Sequence, residues 1–448
     1  MADIVTGQDE PVRPSAGLRE VLGSLRQPKV AIAMVFGIAT GMPPVMVGVT
    51  LGYWLRQEGV ALTAIGFMAW VGIFVSAKFL WAPFVDWIRL PVIGRLLGHR
   101  RSWMLLGQIF VTIGTLGMAF AGPSGGLAVF AGFAMLTSFA AATQDIAVDA
   151  WRIESARDEE QDLMASAYIL GLRSGYFLGN VPILAASGII GWQAAYAFAS
   201  LGGIAGLSAL LLAREPAKPR DFAPLTGLGS VGAALIRPLK VFWQDHGTGL
   251  YIFLPLIALF FLPDGLIVPM VGPLYIDLGF STAEIAGMRT AIGFPATLGG
   301  VVAAGLIGLR YGTLAAMAVG VGLAGLSNLG FCILALSGGS KVIWAGITVV
   351  EGFSGGLAMA SIVAWASRLT NPVATAAQFA LLSSLMSLLS GFLGGFAGLG
   401  VTLLQSVAGS SMGGFALYFA FSPLAAIPPL ILIWLVVRRA RRMAQTPL

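Results

Sequence analysis

REPAKPRDFAPLTGLGSVGAALIRPLKVFWQDH, residues 214–246, is the longest polar interruption between apolar runs in a chain that is 57% hydrophobic and only 10% charged. Charged residues usually make up ~25% of a soluble domain. On either side of this stretch, apolar runs of about twenty residues recur, long enough to cross a bilayer as helices. Lipid offers the backbone no hydrogen-bond partners, so such runs must satisfy their own and become helical. A length of 448 residues would otherwise suggest two or three soluble domains. Composition overrules that: the chain reads as an all-α polytopic membrane protein, and residues 214–246 divide its spans.

Six runs precede the divide, at 29–51, 60–84, 101–121, 125–149, 163–187 and 192–213. Six follow it, at 249–275, 283–308, 313–336, 342–367, 374–405 and 411–437. The expected organisation is a tail over 1–28, a six-helix bundle over 29–213, a linker over 214–248, a second bundle over 249–437 and a basic tail over 438–448. Lysine and arginine accumulate on the cytoplasmic side of a membrane. With the N-terminus inside, every Lys and Arg falls on an inner segment except Arg56 and Lys341 outside and Lys78, Arg173 and Arg289 within spans. Both termini are therefore expected in the cytoplasm. The net charge of +6 is carried by these loop arginines and gives no sign of nucleic-acid binding. Cys332 is the only cysteine, so there is no disulfide framework, and residues 1–28 lack a signal-peptide pattern.

Glycine, at 60 residues, is nearly double its usual share of ~7%. Small residues four apart let helices in lipid approach closely, and Gly352 with Gly356, Gly391 with Gly395, and Gly394 with Gly398 have that spacing. Close contacts that slide and ordinary static packing both fit these pairs.

A charge at the centre of a membrane helix costs about 2.5–3.5 kcal/mol on insertion scales. Such residues are functional candidates. Arg173 lies midway along the fifth span, Asp264 midway along the proline-rich seventh, Arg289 on the eighth and Glu351 on the tenth. One reading makes them a substrate cavity, with the two arginines holding substrate carboxylates. Asp264 or Glu351 would then carry a coupling proton. The other reading has Arg289 merely neutralise a carboxylate to hold helices together. Pro255, Pro263, Pro269 and Pro273 are expected to bend the seventh span, and Pro43 and Pro44 the first.

The fourth span is expected to end near AATQDIAVDAWRIE, residues 141–154, in its last turns on the inner side. Asp145, Asp149 and Arg152 have the spacing i, i+4, i+7 of one helix face. Acids at a helix C-terminus oppose the helix dipole, so cationic partners are expected, with Lys78, Arg100 and Arg101 as candidates. Asp86 closes the second span before a basic loop. With Gln144, these residues form either a gate whose charge pairs break on opening or a static cluster at the helix ends.

Enzyme signatures are sparse. Gly352 to Gly356 matches G-x-S-x-G only formally, inside a membrane helix, and the histidines, His99 and His246, both fall in loops. No metal-ligand cluster, Walker loop or dinucleotide fingerprint occurs, so no cofactor or metal is expected.

Six spans, a basic linker and six spans is the plan of the major facilitator superfamily. KFLWAPFVD (78–86), HRRSW (99–103), QDIAVDAW (144–151), GWQAAY (191–196) and QFALLSS (378–384) together resemble the AmpG muropeptide permease family along nearly the whole chain. That resemblance implies an inner-membrane importer of N-acetylglucosaminyl-anhydro-N-acetylmuramic acid and its peptides, driven by protons, serving cell-wall recycling and linked to beta-lactamase induction and antibiotic resistance. It implies a sugar-peptide, protons and membrane lipid as partners, and a chain that functions as a monomer. Trp54, Trp70 and Trp365 could stack on sugar rings or simply anchor at the interface. Family members often place a lysine where this chain has Phe261, leaving Arg289 as the basic partner for Asp264. Siderophore permeases and acetyl-CoA transporters of related type are alternatives, as are non-transporting assembly factors on the same fold.

Overall fold

In the computed structural model, residues 27–156, 161–216, 240, 243–244, 246–369 and 375–445 are described. The N-terminal tail, most of the linker with Lys218 and Arg220, and the last three residues lie outside that set, as do the side chains of Gln378 and Arg442. No strand occurs among the described residues. Twelve helices are long and apolar enough to cross a membrane. In chain order they are α1 Pro28–Gln57, α2 Leu62–Leu80, α3 His99–Ala121, α4 Leu127–Ser155, α5 Ala167–Ile190 and α6 Trp192–Leu212. Then come α7 Gly247–Asp277, α8 Thr282–Tyr311, α9 Thr313–Leu336, α10 Lys341–Ala366, α11 Leu381–Ala408 and α12 Ser411–Arg441.

Several helices outlast their apolar runs. Helix α4 continues to Ser155, and the helix containing α12 continues through the basic run to Gln445. Asp145 and Asp149 therefore lie before the final turn of α4, which holds Arg152, so the dipole argument applies chiefly to Arg152. Single glycines join two helix pairs: Gly191 (φ 79°) sits between α5 and α6, and Gly312 (φ 87°) between α8 and α9. Both hold the left-handed conformation that only glycine adopts without cost.

The chain separates into two compact units. One holds α1, residues 71–80 of α2, and α3 to α6; the other holds residues 62–70 of α2 together with α7 to α12. The sequence places all of α2 with the first six helices, but residues 62–70 group with the second unit.

In the first unit, glycines build the closest helix contact. On α1, Gly37 and Gly41 lie against the backbone of Tyr168 and Leu172; on α5, Gly171, Gly175 and Gly179 lie against Met34, Ile38 and Met42. A methyl group at any of the five would overlap backbone atoms of the facing helix. Thr50 extends the seam, donating to the Gly179 carbonyl at 2.9 Å and accepting from Asn180 at 2.9 Å.

The second unit uses the spacing the sequence suggests. Gly352 and Gly356 of α10 lie against Gly293 and Thr297 of α8. Gly394 meets Gly265 of α7, and Gly398 meets Leu62 of α2. Gly391 meets nothing, so that member of its pair is not a packing residue. Around Gly395 and Gly398, Trp70 stacks on Phe392 at 5.7 Å and donates to its carbonyl at 2.8 Å, while Thr63 and Thr402 bring their hydroxyls to 3.2 Å. A Thr63→Cys/Thr402→Cys pair in a Cys332→Ser background should form a disulfide on mild oxidation. Gel mobility after reduction and alkylation checks it, and no cross-link would mean that α2 and α11 do not meet there.

Apolar side chains cover both units outside. Phe120, Ile189, Leu309 and Val342 are at least 79% exposed, as befits surfaces that face lipid tails.

Candidate functional site

Two polar constellations stand out, one in each unit.

In the second unit the proline-rich helix breaks. The first segment, Leu250–Leu259, ends before Phe261, and Leu262–Asp277 starts afresh with Pro263 in its first turn. Proline fits that position because its missing N–H is unpaired there anyway. Asp264 thereby sits in the first turn of the new segment, where the helix dipole favours a negative charge. The break is closed by side chains: buried Asn328 donates to the Pro263 carbonyl at 3.4 Å, and Tyr418 to the Leu266 carbonyl at 2.8 Å.

Arg289 opens a π-helical turn, Arg289–Gly293, in α8. Such turns widen a helix by one residue and often mark functional positions. A Cβ on Gly352 of α10 would come within 2.8 Å of the Gly293 carbonyl, so α10 passes close to this turn and sets Glu351 beside it. Asp264, Arg289 and Glu351 are all half-buried. Glu351 acts electrostatically on Asp264, and Arg289 on Glu351. The order is carboxyl, carboxyl, guanidinium. It can hold a mobile proton and can offer a cation to an anionic group.

In the first unit, the expected gate residues form two linked nodes. Lys78 of α2 pairs closely with Asp145 and lies 3.6 Å from Asp149, both on α4. Tyr168 of α5 donates to Asp145 at 2.5 Å and is 3.2 Å from the Thr40 hydroxyl of α1. Arg152 reaches Asp149 at 3.7 Å and stands over the Tyr168 ring at 5.5 Å.

The other node centres on Arg100 of α3, whose side chain is 2% exposed. It bonds Asp86 at 2.5 Å and takes Glu154 of α4 through two nitrogens, at 2.6 and 3.1 Å. That fork-to-carboxylate geometry is available to arginine and not to lysine. Glu215, just past α6, accepts the backbone N–H groups of Arg100 and Arg101 at 2.8 and 3.1 Å, capping the start of α3.

Of the cations expected to serve Asp145 and Asp149, Lys78 does so. Arg100 serves Asp86 and Glu154 instead, and Arg101 spends its guanidinium on the Leu210 carbonyl of α6 at 3.0 and 3.2 Å. Gln144 pairs with Gln108 of α3 at 3.0 Å. Tyr168, Thr40, Glu154 and Glu215 are additions. Glu154 has a sequence signal, since it follows Asp149 and Arg152 on the same helix, but Tyr168 is bland in sequence and acquires its role through the α1–α5 seam. With the Arg101–Leu210 bond, these contacts touch α1 to α6, and every pair named lies within the first unit.

Arg173 is exposed on α5, 5.9 Å from the Tyr176 ring. Tyr176 in turn lies within electrostatic reach of Lys78 and Asp145. Trp54 and Trp365 cannot stack on sugars here. Trp54 is fully buried among Phe130, Trp192 and Tyr196, and Trp365 is buried against Phe253. GWQAAY is a scaffold: Trp192 donates to Gln57 at 2.5 Å and Tyr196 to the Met46 carbonyl at 2.7 Å.

A family model described as Major Facilitator Superfamily matches residues 30–398. The chain is 30% identical over 416 residues to the anhydromuropeptide permease of Escherichia coli (strain K12), covering 92% of this chain and 81% of that protein. It is 28% identical over 404 residues to the putative transporter AmpG 4 of Rickettsia conorii, covering 89% of this chain and 94% of the relative. Among solved structures, a bacterial homolog of the human lysosomal transporter Spinster, inward-facing and unoccupied, superposes with a TM-score of 0.70 at 12% identity, over 94% of this chain and 99% of that one. At that identity the likeness is one of fold.

Proposed function

Because the chain belongs to the AmpG-type muropeptide permease family of the Major Facilitator Superfamily, we propose that it is a proton-coupled importer of anhydro-muropeptides in a bacterial inner membrane, with both termini cytoplasmic. The carrying observation is the half-buried series Asp264, Glu351, Arg289 in a chain whose relative is an anhydromuropeptide permease. Ionisable groups on membrane helices are costly, and two carboxyls with one cation exceed what a neutral helix contact needs. In this reading Asp264 and Glu351 exchange the coupling proton, while Arg289 receives a substrate carboxylate. In the first unit, exposed Arg173 is by itself a cationic candidate for an anionic substrate group. The excess of Lys and Arg on the linker side supports the orientation.

In the first unit we assign the two nodes different parts. Arg100, held by two carboxylates, is a fixed brace. Lys78, close to Asp145 but 3.6 Å from Asp149, is the element that rearranges when the inner end opens.

The test is uptake of labelled N-acetylglucosaminyl-anhydro-N-acetylmuramyl peptide by cells that lack their own permease and express this chain. The expected result is accumulation that a protonophore abolishes. A membrane potential of 100 mV is worth about 2.3 kcal/mol per charge, so Asp264→Asn should lower accumulation on the order of tenfold or more. An inserted protein without uptake overturns the substrate. An Asp264→Asn variant that still responds fully to protonophore moves the proton to Glu351.

A further inference from the structure

At the linker end of the second unit, the helix containing α12 carries a graded stripe. Ile427, Ile431, Trp434, Arg438 and Arg441 follow one another at spacings of four and three, and all five are exposed. The opposite side of the same helix, Ile433, Val436 and Ala440, is buried. The outward face therefore passes from aliphatic to indole to guanidinium, the order in which a bilayer passes from hydrocarbon to interface to phosphate. Arg438 stands over the Trp434 ring at 5.1 Å, so the pair sits at one depth.

The neighbouring arginine behaves differently. Arg439 turns inward and donates to Thr248 at the start of α7, at 2.8 Å. Packing thus uses Arg439 and leaves Arg438 and Arg441 facing out.

The same end repeats the pattern. Successive helices run in opposite senses, so the end of α8 and the start of α7 lie at this face with the end of α12. Arg310 stands 5.4 Å from the ring of Tyr311, which is 67% exposed, and Trp243 meets the exposed Tyr251 at 5.5 Å. Among the described residues, Arg310, Arg438 and Arg441 make no ion pair. At the other end, Lys341 is paired with Glu284 at 2.5 Å. At this end Arg310 and Arg438 each stand beside an aromatic ring, and Arg441 continues the stripe three residues beyond Arg438.

We propose that Arg438 and Arg441, levelled by Trp434, bind the phosphate of an anionic phospholipid in the linker-side leaflet. Lysine or arginine near a membrane surface attracts anionic lipid, and the guanidinium fork suits a phosphate. The site requires that the twelve helices span a bilayer and is independent of which substrate is carried.

The test is native mass spectrometry of the full chain, titrated with phosphatidylglycerol or with phosphatidylcholine of the same acyl chains. The parent should retain phosphatidylglycerol in preference, and Arg438→Gln/Arg441→Gln should weaken that binding on the order of tenfold. Arg438→Lys/Arg441→Lys should keep part of it. Equal retention of the two lipids by the parent, or unchanged phosphatidylglycerol binding by the glutamine variant, overturns the site. A second measurement does not depend on that variant. Brominated phosphatidylglycerol in vesicles should quench a fraction of tryptophan fluorescence that disappears in Trp434→Phe, and unchanged quenching in Trp434→Phe also overturns the site.

Discussion

Gly171→Leu should leave no stably folded protein, while Gly132→Leu melts within about 2 °C of the parent. A side chain at Gly171 meets the Met34 carbonyl and the backbone beyond it, where no rotamer gives relief. Ordinary overpacking costs about 1–3 kcal/mol because side chains can move aside. Here α1 and α5 would have to separate, and with them the Thr40–Tyr168 and Thr50–Asn180 contacts. Gly132 lies on an exposed face of α4 with nothing near its missing Cβ, so leucine there adds only lipid-facing surface. Fluorescence-detected size exclusion after heating separates the outcomes. A Gly171→Leu protein as stable as Gly132→Leu would mean that the α1–α5 seam is wider than described.

The second large effect is expected at Arg100. Removing one partner of a buried ion pair costs about 3–5 kcal/mol, because the other charge stays behind unpaired. Arg100→Met strands two carboxylates, Glu154 at 5% exposure and Asp86 at 27%; the cost of the latter is reduced by its access to water. A loss of at least about 3 kcal/mol is therefore expected, read as a lowered midpoint in thermal unfolding. Arg100→Met/Glu154→Gln should be more stable than Arg100→Met alone, because neutralising Glu154 removes a stranded charge. Such non-additivity is the mark of a direct pair. If the double variant is instead the less stable, Glu154 does work that Arg100 does not share. Arg101→Met, which loses bonds to one carbonyl, should be the milder change.

These two results would also separate the framework of the first unit from its transport chemistry. Arg100 and the glycine seam set where the helices lie. Lys78, with one close and one longer carboxylate contact, is the part of the network with room to rearrange. Loss of uptake in a Lys78 or Asp264 variant is informative about transport only where the protein remains as stable as its parent.

The number and rough extent of the spans were legible in the sequence, because lipid enforces helices on apolar runs and the period of that constraint is local. Membership of the family was legible too, in short motifs whose polar residues stand out against an apolar background. The deep candidates Asp264, Arg289 and Glu351 were found in the same way, since a charge in a membrane helix is conspicuous wherever it points. Even the glycine pairs Gly352 with Gly356 and Gly394 with Gly398 announced their contacts by spacing, although Gly391 has the same spacing and no contact.

Partner choice was not legible. Asp145 and Asp149 call for a cation, and sequence offers Lys78, Arg100 and Arg101 equally; which reaches them depends on how α2 and α3 pack on α4. The allocation of Trp54 to a buried aromatic cluster, and of residues 62–70 to the second unit, likewise depends on contacts between segments far apart in the chain. So does the division between Arg439 and its neighbours, which the run RRARR presents as equivalent. Composition and hydropathy act on each residue through its solvent, so the sequence by itself determined twelve membrane helices and their polar exceptions. Hydrogen bonds and ion pairs act over about 3 Å, so only the tertiary structure decided which of those exceptions meet.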